Sequence, residues 1–166
     1  MRRRRLILGA AASGAMPLCA VASPVQPGEM VQWPAIELLD GRAWTPASWQ
    51  GMPAVVVVWA TWCPHCARHN GHLDKLHRAV AGRSLRILGV AIDGDRDSVR
   101  RYMDSHGYAF PVTLDAEPLR SRLTARRMVP MTFITDEQGH LRQAIPGEMF
   151  EADMLALAAL AAPARH

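Results

Sequence analysis

The sequence predicts an α/β domain with a central mixed sheet flanked by helices and preceded by a short β-hairpin. Residues 54–60 form an unbroken β-branched and apolar run, typical of a strand covered on both faces. Strand and helix patterns then alternate along the chain, an order typical of a layered α/β sandwich. The crossover between residues 54 and 93 is long enough for a right-handed βαβ unit.

The hairpin is predicted at residues 35–39 and 42–44, because Asp40 and Gly41 between them form a tight-turn dipeptide. A helix is predicted from about Pro64 to Ala81, since apolar side chains recur there on one stripe. The later predicted elements are a strand at 85–93, a helix at 96–106, a short strand at 112–114, a helix at 117–127, a hairpin of 131–136 and 140–145, and a closing amphipathic helix at 149–162.

The first 22 residues have the pattern of an export signal peptide. Four arginines precede a moderately apolar stretch, and Ala20-Val21-Ala22 forms a small-x-small cleavage site. The arginines also fit a twin-arginine signal, so the Sec and twin-arginine routes both stay open. We expect residues 1–22 to be removed, residues 23–33 to be a linker, residues 34–162 to form the domain and residues 163–166 to be a tail.

The charge balance argues against a nucleic-acid partner. Arg2, Arg3, Arg4 and Arg5 are four of the 19 basic residues, so the 15 that remain equal the 15 acidic residues. Binding to phosphates needs a basic patch that the mature chain retains. A hydrophobic content of 49% with 20% charged residues excludes a disordered chain.

Trp62-Cys63-Pro64-His65-Cys66 lies where the predicted buried strand ends and the following helix begins. Free N–H groups and the positive end of the helix dipole stabilise an anion at that position. We therefore expect the thiolate of Cys63 to be favoured and Cys63 to be the attacking sulfur. Pro64 suits the first helical position, where an N–H would be unpartnered. Cys66, one turn inward, is expected to be less exposed and to act as the resolving thiol.

A metal site is the alternative interpretation of the two cysteines. His69 and His72 extend the spacing to C-x₂-C-x₂-H-x₂-H, but one helix cannot wrap four side chains around a tetrahedral zinc ion. Two thiolates also suit copper(I), so a copper-binding assembly factor is a further alternative, although the chain has neither a methionine-rich nor a C-x₃-C site. We expect neither a metal nor another bound cofactor.

Several motifs in order resemble the thioredoxin superfamily and, within it, the TlpA/ResA-type periplasmic thiol–disulfide oxidoreductases. The resemblance covers roughly residues 34–160. The matching segments are VVWATWCPHC at 57–66, GVAID at 89–93, FPVTLD at 110–115, VPMTFI at 129–134 and PGEM at 146–149. The chain lacks the Pro-x-x-x-Thr-x-x-Cys loop that peroxide chemistry needs, which argues against the peroxiredoxin branch.

The resemblance implies a thioredoxin-like fold and a cis peptide bond between Val129 and Pro130, with Pro130 packed against the two cysteines. It also implies protein thiol or disulfide substrates, with apocytochrome c as a candidate, and a membrane thiol carrier as electron donor. We expect a periplasmic protein that acts as a monomer.

His69 departs from the family pattern. Many members resembling this chain have an acidic residue three positions after the second cysteine, and thioredoxin has a buried aspartate at the position of Val57. With neither carboxylate present, His69 is the candidate for moving a proton to or from Cys66. The alternative is a helix histidine whose ring packs beside the core.

His65 bears on the direction of electron flow. A histidine between the cysteines can stabilise the Cys63 thiolate, and Pro-His is also the dipeptide of the strongly oxidising DsbA. A preferential stabilisation of about 1.4 kcal/mol shifts the potential of such a couple by about 30 mV. The family resemblance favours a reductase, and an oxidase or isomerase with the same site is the alternative. Arg68, His72 and His77 are interpreted as a solvated helix face.

Overall fold

A computed structural model describes residues 23–161, and within them it contains a five-stranded sheet, a two-stranded hairpin and four α-helices. The strands are β1 Ile36–Glu37, β2 Ala43–Trp44, β3 Ala54–Trp59, β4 Arg86–Ala91, β5 Val112–Thr113, β6 Met131–Thr135 and β7 Leu141–Pro146. The helices are α1 Pro64–Ala79, α2 Arg96–His106, α3 Ala116–Leu123 and α4 Glu151–Ala156. Single 3-10 turns occur at Pro46–Trp49 and Leu157–Leu160.

The sheet has the order β5-β4-β3-β6-β7, so β3 lies at its centre. β3 pairs in parallel with β4 and antiparallel with β6, which makes the sheet mixed, as the sequence predicts. All six residues of β3 are buried. The hairpin of β1 and β2 pairs Ile36 with Trp44, and its turn contains Gly41 at a φ of 87°. The predicted fold class is therefore confirmed.

Alternate side chains of β3 contribute to two apolar clusters on opposite faces of the sheet. Val55, Val57 and Trp59 belong to the cluster that also contains apolar residues of α1, α2 and α4. Val56 and Val58 belong to the other cluster, with apolar residues of α3 and of the N-terminal segment. Because successive strand residues point to opposite faces, a strand covered on both sides must be apolar throughout.

Two helices end at least four residues earlier than the sequence predicts. α3 ends at Leu123 rather than near residue 127, because Thr124 adopts an extended backbone and residues 125–128 are exposed. The closing helix α4 begins at Glu151 and ends at Ala156, and a 3-10 turn follows at Leu157–Leu160. No residue of that turn is fully buried, and only Leu157 and Ala158 pack partly against the core, so little apolar burial stabilises a longer α-helix there.

The segment interpreted from the sequence as a linker packs against the domain. Val31 and Trp33 are buried, and the Trp33 ring stacks on that of Trp49 with 4.0 Å between ring centroids. The Val25 N–H donates to the Arg122 carbonyl at 2.8 Å. The predicted export signal at 1–22 and tail at 163–166 lie outside the described residues, as does residue 162. No helix between residues 23 and 161 has the length and apolarity to cross a bilayer.

Candidate active site

Cys63 caps the N-terminus of α1, immediately after the buried strand β3. Its Sγ atom accepts a hydrogen bond from the backbone N–H of Cys66 at 3.3 Å. Pro64 occupies the first turn of the helix, where a backbone N–H would have no partner within the helix, so its missing N–H costs no hydrogen bond. Cys63 is 6% exposed to solvent, whereas Cys66 is fully buried. Both are free thiols, and their order of exposure agrees with the attacking and resolving roles expected from the sequence.

Burial raises the pKa of Cys66 to about 12, and the nearby Cys63 and the charge of Asp93 act in the same direction. A thiol of this kind stays protonated at neutral pH and is a poor first nucleophile. Once Cys63 carries a mixed disulfide with a substrate, the Cys63 sulfur becomes a target that Cys66 can attack at short range. The environment of Cys66 therefore suits a resolving thiol.

The Val129–Pro130 peptide bond is cis and lies beside Cys63, as the family resemblance implies. The Cys63 thiol donates to the Val129 carbonyl, with 3.8 Å between sulfur and oxygen. Pro130 is buried immediately before β6, and its carbonyl accepts from the Gly147 N–H at 2.9 Å. The loop before β6 and the loop after β7 therefore meet next to the cysteines.

His69 is fully buried, and both of its ring nitrogens have partners. The Met149 N–H donates to Nδ1 at 3.0 Å, so Nε2 carries the hydrogen and donates to the Thr132 hydroxyl at 3.0 Å. Burial lowers the pKa of His69 to about 4, with a smaller contribution from His72. The ring is thus neutral near pH 7 and has no free nitrogen for Cys66. This geometry supports a packing role over a proton-carrying one.

His65, Arg68 and Glu148 form an exposed cluster beside the cysteine motif. Arg68 donates to both carboxylate oxygens of Glu148, through Nε at 2.8 Å and Nη2 at 2.7 Å. His65 Nδ1 lies 3.2 Å from Glu148 Oε2 and 3.0 Å from Arg68 Nη2. The bonds from Arg68 lower the pKa of Glu148 to about 2. Arg68 was interpreted from the sequence as part of a solvated face, but it makes a bidentate pair across the site.

Exposed apolar side chains surround the motif. Trp62 is 68% exposed and directly precedes Cys63 in the chain. Met128 and Phe150 are 44% and 81% exposed, and they adjoin Val129 and Met149 in sequence. Large apolar groups held in water beside a reactive thiol are suited to contact an extended or unfolded polypeptide.

Asp93 is a site residue that motif reasoning missed. Its carboxylate accepts from the Thr61 hydroxyl at 2.6 Å and from the Thr61 N–H at 3.1 Å. These bonds join the chain after β4 to the chain after β3, one residue before Trp62. The sequence does contain a signal for this contact. Polar residues that follow adjacent parallel strands meet at the carboxyl edge of a sheet, and Thr61 and Asp93 follow β3 and β4.

The two histidines considered as zinc ligands are engaged elsewhere. The His72 ring contacts the Met149 carbonyl through Nδ1 at 3.1 Å, and His69 is bonded as described above. Across residues 23–161, no group of three His, Cys, Asp or Glu side chains is placed to hold a metal ion. His77, also expected on the solvated face, is half-buried.

A five-stranded mixed sheet with an N-capping thiol, a buried second thiol and an adjacent cis proline defines a thiol–disulfide oxidoreductase of thioredoxin-like fold. The family model described as AhpC/TSA matches residues 30–144, and the chain belongs to this family.

Curated relatives and solved structures agree with this class. The thiol-disulfide oxidoreductase ResA of Geobacillus thermodenitrificans is 24% identical over 70% of this chain and 67% of its own length. The thiol:disulfide interchange protein DsbE of Yersinia pestis is 30% identical over 60% of this chain, which spans about half (51%) of that protein. A thioredoxin-family thiol:disulfide interchange protein from Chlorobium tepidum superposes with a TM-score of 0.69 at 23% identity, covering 84% of this chain and 99% of its own.

Proposed function

We propose that this protein reduces disulfide bonds of proteins outside the cytoplasm by dithiol–disulfide exchange. One observation carries the proposal: Cys63 lies at the start of α1 beside an exposed apolar surface, with the fully buried Cys66 within one helical turn. A first thiol that keeps 6% exposure and a second thiol that keeps none would divide the roles that a two-step exchange requires.

In the first step the Cys63 thiolate attacks one sulfur of a substrate disulfide. The substrate S–S bond breaks, a Cys63–substrate disulfide forms, and the leaving sulfur takes up a proton. Cys66 then loses its proton and attacks the Cys63 sulfur, which releases the second substrate thiol and closes the Cys63–Cys66 disulfide. Two electrons and two protons pass to the substrate, and an external dithiol must reduce the enzyme again.

The donor and location follow from the same reasoning. Exported proteins work where glutathione and thioredoxin do not keep thiols reduced, so a membrane thiol carrier is the proposed donor. The arginine-rich leader supports export by either the Sec or the twin-arginine route. Protein disulfides are the proposed substrates, with apocytochrome c a candidate by similarity to ResA-type and DsbE-type proteins, and the proposed active form is a monomer.

An oxidase or isomerase is the second candidate, and the position of His65 favours it. The ring lies between the two cysteines in sequence, and its imidazolium form would stabilise the Cys63 thiolate and thus the dithiol. A more stable dithiol makes the disulfide a stronger oxidant. The two candidates differ in reduction potential and in no other property described above.

The deciding experiment equilibrates the protein with glutathione and measures its reduction potential, together with turnover in insulin reduction. A potential near that of thioredoxin, about −270 mV, with insulin turnover, supports the reductase. A value near −120 mV, roughly that of DsbA, would overturn it in favour of the oxidase. Metal analysis of the reduced protein accompanies this measurement, since stoichiometric copper would indicate the assembly factor instead.

A further inference from the structure

Arg126 and Arg127 are consecutive exposed residues in the loop of residues 124–130 that joins α3 to β6, the basic loop. Among residues 23–161, they are the two arginines whose guanidinium groups neither donate a hydrogen bond nor form an ion pair. The others each donate to a carboxylate, a hydroxyl or a backbone carbonyl: Arg42, Arg68, Arg78, Arg83, Arg86, Arg96, Arg100, Arg101, Arg120, Arg122 and Arg142. The described chain therefore leaves two adjacent positive charges, which arginine keeps at any physiological pH, available to a group from outside.

The basic loop lies at the edge of the sheet that carries the reactive thiol. β3 pairs antiparallel with β6, so the end of β3 and the start of β6 share one edge. Cys63 follows β3, and its thiol contacts the Val129 carbonyl at 3.8 Å. Because consecutive Cα atoms are about 3.8 Å apart, the Cα of Arg127 lies within about 8 Å of that of Val129. A polypeptide that brings a disulfide to Cys63 therefore passes close to both arginines.

The charges on the two sides of Cys63 differ in sign. β4 and β6 flank β3 on opposite sides. On the β4 side, the carboxylate of Asp93 accepts from the Thr61 hydroxyl at 2.6 Å. On the β6 side, the basic loop is positive, and the nearby Arg68 adds no net charge because it binds both carboxylate oxygens of Glu148. Carboxylate groups of a bound chain are therefore favoured on the β6 side.

We propose that Arg126 and Arg127 make the site selective for protein disulfides in which acidic residues flank a cysteine. This inference deepens the proposed dithiol–disulfide exchange and rests on it, because the arginines attract the substrate and take no part in the transfer of electrons. A guanidinium binds a carboxylate through two parallel N–H groups, and complementary charge at the rim of a site speeds the encounter of two proteins. The exposed side chains of Trp62 and Met128 supply apolar contacts to the same polypeptide.

An anionic membrane surface is the other partner that arginines beside exposed apolar side chains can attract. The position of Cys63 decides between the two. Its sulfur contacts the basic loop itself, at Val129, so a partner that covers this loop also covers the reactive thiol. A polypeptide can present a disulfide there, whereas a lipid headgroup would only block the thiol.

The experiment uses three peptide disulfides of one neutral sequence, with two Asp, two Ser or two Lys residues flanking each cysteine. The reduced protein is mixed with each peptide at low ionic strength, the reaction is quenched with acid, and the free peptide thiol is quantified against time by mass spectrometry. For the wild type, we expect the acidic peptide to react about fivefold faster than the serine peptide and the basic peptide about fivefold slower. At 1 M salt, where charges are screened beyond about 3 Å, the three rates should converge.

Charge reversal gives a readout that a merely structural role would not move. Arg126→Gln/Arg127→Gln should bring the three rates within about twofold of one another, and Arg126→Glu/Arg127→Glu should reverse their order. Arg100→Gln/Arg101→Gln is the matched control, because it removes two consecutive exposed arginines of α2 with the same change in net charge. This control should keep the wild-type order of rates.

Equal rates of the wild type with all three peptides, an order that survives charge reversal, or an order that the control also loses would overturn the inference, while reduction of the peptides still upheld the proposed function. Equal rates together with binding to phosphatidylglycerol vesicles that Arg126→Gln/Arg127→Gln abolishes would assign the basic loop to a membrane surface instead. A wild type that reduces none of the peptides and no insulin would overturn the proposed function, and with it the inference.

Discussion

The backbone N–H of Cys66 donates to the sulfur of Cys63 across 3.3 Å, so the first turn of α1 supplies a hydrogen bond to the thiol that caps it. A donor in this position stabilises negative charge on sulfur, as N-terminal N–H groups do for other anions. The sulfur of Cys66 itself lies fully inside the core. One helical turn thus places the two cysteines of the same sequence motif in different environments.

Replacement of each cysteine tests these roles. Cys63→Ser and Cys66→Ser should each lower insulin turnover by about a hundredfold or more, because both steps of the exchange are required. Only Cys66→Ser should accumulate a mixed disulfide with substrate, detected by non-reducing electrophoresis and mass spectrometry. Equal trapping by the two variants would contradict the assignment of Cys63 as the attacking thiol.

His69 makes folding stability depend on pH. A histidine side chain in water has a reference pKa of 6.5. Burial disfavours the charged ring and lowers the pKa of His69 to about 4 in the folded protein. As the pH falls, this side chain therefore binds a proton in the unfolded chain at a higher pH than in the folded protein. The contribution of the neutral ring to the free energy of unfolding is complete above pH 6.5 and is lost as the pH falls towards 4. The loss is roughly 3 kcal/mol for a shift of this size.

The matched variant is His69→Gln, which keeps an acceptor for the Met149 N–H and a donor for Thr132 but does not titrate. Denaturant unfolding at pH 7, 5.5 and 4 should show a steeper loss of stability for the wild type than for this variant. Parallel pH curves for the two proteins would contradict the assigned environment of His69. His106→Ala, on the exposed end of α2, controls for removal of a surface histidine.

Catalysis should be insensitive to the titration of His69. Since both ring nitrogens are bonded and the ring is neutral near pH 7, His69→Gln should leave the shape of the insulin turnover profile unchanged between pH 5.5 and 8. At each pH, the turnover rates of the wild type and of His69→Gln are divided by the fraction of protein that is folded before they are compared. A flattened profile would instead support the proton-carrying role for Cys66 that the sequence left open.

Gly89 on β4 is required by close packing. A Cβ atom at this position would lie 2.7 Å from a ring carbon of Phe110 and 2.8 Å from the indole nitrogen of Trp59. Gly89→Ala should therefore lower the free energy of unfolding by about 1–3 kcal/mol. Gly94→Ala is the control, because no atom lies within 4 Å of its Cβ position. Equal unfolding midpoints in denaturant for the two variants would contradict this packing argument.

The exposed ring of Trp62 should matter for polypeptide substrates. Trp62→Ala is expected to lower kcat/KM for insulin by about tenfold, since a large apolar contact beside the reactive thiol is lost. Reduction of a small disulfide such as glutathione disulfide should change little. Met30→Ala is the control, because it removes another apolar side chain that is 53% exposed. Met30 forms a β-bridge with His140, which lies at the opposite end of β7 from Pro146. Equal effects of both variants would argue against a substrate surface at Trp62.

Local signals were sufficient for the order of the elements and for the reactive pair. The unbroken apolar run of β3 predicted a central strand, and the cysteines at the following helix start predicted their relative exposure. Asp40-Gly41 predicted the turn of the first hairpin. Such features depend on residues within a few positions of one another, where periodicity, capping and turn geometry act.

Tertiary structure decided what each polar group near the pair does. His69 is bonded to Thr132 and Met149, which lie 63 and 80 positions along the chain, so the sequence could not distinguish a packing ring from a proton carrier. Arg68 stays exposed, as the sequence predicts, but it pairs with Glu148 across 80 positions of the chain. The sequence by itself determined the helices, the strands and the cysteine motif, because short-range geometry specifies them. The partners of the buried and charged side chains depend on which strands and loops lie side by side, and only the folded sheet brings those together.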